Sequence, residues 1–86
     1  GDLVRKASGG SYANIGTAYS SLLGTDTLAL QSITFYESPV LNNGFSVTLS
    51  GGYNSSFSDN SGFSAIHGSL TITGTGQAII DKISIQ

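Results

Sequence analysis

The apolar positions of this chain follow two periods, and the change between them falls near Gly24. Over residues 14–23, Ile15, Ala18, Tyr19 and Leu22 stand at i, i+3, i+4 and i+7, which is one face of a helix. Asn14 is a good N-cap residue just ahead of that face, and Gly24 stands where a left-handed C-terminal residue belongs. Gly16 inside the pattern costs about 1 kcal/mol relative to Ala. A helix this short does not persist alone in water, so the spacing predicts a helix lying on an apolar surface. Before it, Leu3-Val4, Arg5-Lys6 and the break Ser8-Gly9-Gly10-Ser11 form an arm.

After Gly24 the period is two. Leu28 and Leu30 alternate with polar or small residues, as do Ile33 and Phe35, until Pro39 interrupts, since proline cannot donate to a central ladder. Asn42-Asn43-Gly44 reads as a turn. Phe45, Val47 and Leu49 then alternate with Ser46, Thr48 and Ser50 and run into a corner, Gly51-Gly52-Tyr53. A polar excursion over residues 54–62 follows, with Phe57 and Phe63 expected to pin it back. Ala65-Ile66 is a short strand ending at His67-Gly68, and Leu70 and Ile72 make another, closed by Gly74-Thr75-Gly76. The last segment carries Ile80, Ile83 and Ile85, with a bend at Asp81-Lys82.

The expected organisation is one mainly β domain: an arm (1–12), a capping helix (13–24) and β-coils (25–86). Two topologies suit many short strands between regular turns, a parallel β-helix of about three coils or a small antiparallel β-sandwich. Short strands between glycine corners favour the solenoid. So does the recurrence of Leu28, Val47 and Leu70 about every 20 residues, near the length of one solenoid turn. The lone amphipathic helix would cover the solenoid's first coil. Asn43-Gly44 keeps the sandwich open, because Asn-Gly suits a tight hairpin.

Composition narrows the partners. With 86 residues and no cysteine, the chain has neither a disulfide framework nor a thiolate metal site. Small domains without such staples often gain stability from another subunit. Three basic residues against five acids, net charge −2, leave no basic patch for nucleic acid. No apolar run approaches the roughly 20 residues needed to span a bilayer. A hydroxyl-rich, weakly charged surface suits a secreted or cell-surface protein. A start at Gly1 fits a processed terminus and equally a remnant of expression.

The run SVTLSGGYNSSFSDNSGFSAIHGSLTI, with the later AIIDKISI, resembles the first coils of bacterial surface and secreted proteins with a right-handed parallel β-helix, the pectin-lyase-like superfamily. The lead-in matches as well: the helix, the strand with Asp26, Leu28 and Leu30, then ITFYES. The resemblance extends from about Ile15 to Ile85. It implies a structural or adhesive role at the cell surface. Members usually continue for many more coils, whereas roughly three are expected here, as in the N-terminal piece of something longer or in a small relative.

Candidate chemistry is sparse. Carbohydrate-cleaving relatives need paired or clustered carboxylates. Here Asp26, Glu37, Asp59 and Asp81 are spread one to a segment, so no catalytic pair and no cofactor is expected. Asn54, Asp59 and Asn60 could offer oxygens to Ca²⁺, with Asp59 the only charged ligand; Asx turns shaping the loop are the plainer reading. His67 is the only histidine and no Gly-x-Ser-x-Gly elbow exists, so it is expected at a strand-end corner. Tyr19 belongs to the helix's apolar face, while Tyr36 falls on the face opposite Ile33 and Phe35. Gly51, Gly52 and Tyr53 are read as a structural corner.

The function expected from all this is a non-enzymatic structural subunit or accessory of an extracellular assembly. Its contacts would be exposed sheet edges, carried by Leu3 and Val4 at one end and Ile80, Ile83 and Ile85 at the other, and could propagate as a filament. The partners would be other protein subunits. The alternative is a carbohydrate-binding or adhesive module, with a polysaccharide as partner and aromatic and Asn/Asp side chains grouped on one sheet face.

Overall fold

Each stretch of alternation after Gly24 becomes a strand in the computed structural model, in which residues 3–86 are described. Gly1 and Asp2, and the reading of Gly1 as a terminus, lie outside them. The strands are β1 (Val4–Lys6), β2 (Ser11–Tyr12), β3 (Asp26–Gln31), β4 (Thr34–Phe35), β5 (Val40–Leu41), β6 (Ser46–Tyr53), β7 (Ser64–Ile66), β8 (Thr71–Ile72), β9 (Gln77–Asp81) and β10 (Ile83–Ile85). One helix, α1 (Ile15–Ser20), precedes β3. The chain is mainly β.

The pairing sorts the strands into three sheets. They are ordered β2-β1-β3-β6-β9, β10-β7-β4 and β5-β8. From β3 onward every pair is parallel; only β1 with β2 and β1 with β3 run antiparallel. The chain therefore visits the three sheets in the same order on successive passes: β3, β4, β5, then β6, β7, β8, then β9 and β10. Parallel register aligns like positions, Leu28 with Leu49 and Ile80, Phe35 with Ile66 and Ile85, and Leu41 with Ile72. Of the residues expected to recur together, Leu28 and Val47 do lie in one sheet. Leu70 does not, because Ile72 beside it pairs with Leu41, and the strand beneath Val47 is reached only at Ala78. The polar excursion after Tyr53 lengthens that pass.

The first pass is covered. Asn14 caps α1 by accepting the Thr17 N–H at 2.7 Å, and Ile15, Ala18 and Tyr19 are buried against β1, β2 and β3. The helix stops earlier than its apolar face suggests. The Ser21 N–H turns back to the Ala18 carbonyl and the Leu22 N–H to that of Tyr19, Leu22 is buried beyond the last turn, and Leu23 is 95 % exposed. Gly24 is not among the left-handed glycines. Two contacts from far along the chain fasten α1 across the pass. The Glu37 carboxylate accepts the N–H groups of Ile15 (2.9 Å) and Gly16 (3.0 Å), and the Tyr19 hydroxyl accepts the Asn43 N–H at 2.7 Å.

Candidate functional site

The corner at the centre of the chain is a bulge in a parallel ladder. Ala29 faces Ser50 and Gln31 faces Tyr53, so Leu30 alone opposes Gly51 and Gly52. Gly52 has φ +85°, and a Cβ there would run into the Gly62 carbonyl; a Cβ on Gly51 would meet Ser64 Oγ at 2.8 Å. Glycine is required at both positions. Ser64, buried at 1 % exposure, fills the space the two glycines leave. Its Oγ accepts the Gly52 N–H at 2.9 Å and donates to the Gln31 carbonyl, binding β6, β7 and the end of β3 at one point.

Beyond Tyr53 the polar loop is closed by its own side chains. Asn54 Oδ1 accepts from the Ser58 N–H (3.0 Å) and from Ser56 Oγ (3.1 Å), while the Asn54 N–H donates to the Asp59 carbonyl (2.9 Å). Phe57 holds a left-handed φ of +57°, stacks on Tyr53 at 6.0 Å and lies under the Arg5 guanidinium at 4.5 Å. Phe63, expected to pin the loop, is instead 71 % exposed. Asp59 spends its carboxylate on Ser61; that hydroxyl and then the Ser61 N–H hold its pKa below the usual value. Among the described residues no three His, Cys, Asp or Glu side chains come together as a metal-binding group.

The other acids are as scattered in space as in sequence. Asp26 is engaged by Ser8 and the Thr27 N–H; burial opposes its ionisation, but those hydrogen bonds win and its pKa is lowered. Glu37 is the helix-capping carboxylate described above. Its role was invisible in the sequence, because its partners lie more than 20 residues upstream. Asp81 is exposed at the end of β9.

Two shallow clefts and a set of exposed apolar rows remain. A cleft of about 260 Å³ lies between β1 and the polar loop, lined by Arg5, Lys6, Thr27, Ala29, Tyr53 and Phe57. A larger one, about 340 Å³, opens between β4 and the start of α1, lined among others by Asn14, Ile33, Thr34, Tyr36 and Glu37. Tyr36 is 80 % exposed, and its ring meets that of His67 at 5.3 Å and 52°.

The apolar rows are most exposed at the last strands described. Leu28 and Leu49 are fully buried, yet Ile80 in the same row is 37 % exposed; Phe35 and Ile66 are buried, and Ile85 is 48 % exposed; Leu41 is buried, and Ile72 is 47 % exposed. Ile83 is half-buried. At the opposite end the expectation of an exposed edge changes. Val4 is completely buried, because β1 lies between β2 and β3, and Leu3 packs against the core.

No family model, curated protein or solved structure matches this chain. Among the described residues no helix is long and apolar enough to cross a membrane.

Proposed function

We propose that the chain winds as a short parallel β-helix of about three coils, akin to the first coils of pectin-lyase-like proteins. On this reading it is a non-enzymatic structural subunit or accessory of an extracellular or cell-surface assembly. Repeated passage through three sheets, every pair from β3 onward parallel and like residues stacked in rows, supports the β-helix. The observation that carries the function is the exposure of Ile72, Ile80 and Ile85, which continue rows whose earlier members Leu41, Leu49 and Ile66 are buried. Apolar rows ending beside unpaired strand edges invite another polypeptide. The sparse charge and hydroxyl-rich surface support an extracellular setting.

Assembly is assigned to these exposed rows; on the opposite side β1, β2 and α1 cover β3, while β4 remains an unpaired sheet edge. Light scattering across a concentration series tests the reading. The mass should rise above the 8.8 kDa of one chain, and a stable monomer at millimolar concentration would overturn it.

A further inference from the structure

The cleft between β4 and α1 has the parts of a sugar-binding site, and it lies apart from the end face just described. Its volume of about 340 Å³ is at the lower end of small-ligand pockets. β4 is the terminal strand of its sheet, so the cleft runs along an unpaired edge. Beside that edge Tyr36 stands 80 % exposed on the sheet's outer face, and Ile33 is 36 % exposed. His67 steadies the Tyr36 ring from the next strand, the rings 5.3 Å apart. An exposed tyrosine held in place by a neighbour is a flat apolar platform at little entropic cost. Hydrogen-bonding groups face it across the cleft. Glu37 uses one lone pair of each carboxylate oxygen on α1 and keeps others. Asn14 uses its carbonyl on Thr17 and keeps an amide able to donate, and Thr34 adds a hydroxyl.

Charge selects among the ligands such a platform accepts. Among the described residues Glu37 is the only charged one lining the cleft. A ligand bearing carboxylate or sulfate would meet that carboxylate with no cation of the described lining beside it, which is unfavourable. We propose that this cleft binds an uncharged glycan, with one pyranose ring stacked by its C–H face on Tyr36 and its hydroxyls bonded to Glu37, Asn14 and Thr34.

Affinity electrophoresis in gels containing a soluble neutral glucan, mannan or xylan tests this, with carboxymethylcellulose as the anionic comparison. At least one neutral polymer should retard the protein, and the anionic polymer should retard it less. Tyr36→Ala should weaken that retardation at least about fivefold, and Tyr36→Phe should preserve most of it, because the ring supplies the contact. Phe63→Ala, equally exposed but outside the cleft, should leave retardation unchanged. Circular dichroism should show the native fold in all three variants. Absence of retardation by every neutral polymer, retention of it in Tyr36→Ala, or stronger retardation by the anionic polymer would each overturn the proposal. None of these outcomes bears on the end contact, which is read from mass.

Discussion

Ser64 shows how much one small hydroxyl can hold together. It accepts the N–H of Gly52, donates to the carbonyl of Gln31, and is buried under a bulge that only glycine can form. Truncating it to Ala takes the acceptor from the buried Gly52 N–H, at about 1–3 kcal/mol before any relaxation, while the Gln31 carbonyl keeps the Ile33 N–H. Ser64→Ala should therefore lower the stability measured by urea unfolding by about 1–3 kcal/mol. Gly52→Ala should cost at least about 2 kcal/mol, because the left-handed φ and the collision with Gly62 act together. Asp26 and Asp59 make a milder, pH-dependent contribution. Both have folded pKa values below their ordinary ones, so their stabilisation is present at neutral pH and lost as pH falls through the folded values. The urea midpoint should hold steady down to about pH 4.5 and decline below about 3.9, and the decline should be shallower in an Asp26→Asn, Asp59→Asn double variant. The Gly-Gly pair stood out in the sequence, but it forms a bulge inside β6, where a corner ending the strand at Ser50 was expected. Ser64 did not, because an isolated serine in a polar chain carries no mark of burial until its pairing partners are known.

At the scale of elements, α1 exists because the rest of the fold supplies what its six residues cannot. Its first turn has an Asn cap but no acidic residue of its own. Glu37, brought from the end of β4, provides the negative charge that the helix N-terminus favours and two charge-assisted hydrogen bonds. Glu37→Ala should destabilise the domain by about 1–2 kcal/mol and Glu37→Gln by less, since the amide oxygen still accepts one N–H. If both variants unfold at the wild-type urea concentration, the carboxylate is not what anchors the helix. Local period revealed the elements well: Leu28, Leu30, Val47 and Leu49 alternate and are buried, and Ile15, Ala18 and Tyr19 form one face. Their limits and partners were less visible. The turn at Ser21 depends on backbone geometry, and Val4 is buried because an antiparallel strand joins the parallel sheet, which Leu3-Val4 alone could not announce. The recurrence near 20 residues held for β3 and β6, whereas the excursion after Tyr53 stretched the next interval, so Leu70 fell just ahead of β8, outside the sheet of Val47.

For the molecule as a whole, the two ends differ, and the difference limits how it can associate. On one side β3 is covered by α1 and the antiparallel β1 and β2, with β4 left as an unpaired edge; on the other Ile72, Ile80 and Ile85 are exposed in rows whose other members are buried. Partial exposure makes these three the right residues to alter, because each can change without opening a cavity inside the monomer. Adding charge there opposes contact directly, since an unpaired charge in an interface is costly. Ile80→Glu should hold the chain at its 8.8 kDa monomer mass at concentrations where the wild type is heavier. Leu23→Glu, at a residue 95 % exposed beside the helix cover, should leave the mass distribution unchanged. If Leu23→Glu also dissolves the association, both ends take part and the subunits can propagate head to tail. If neither substitution matters, the contact lies elsewhere, and the bare rows of isoleucine do not drive assembly.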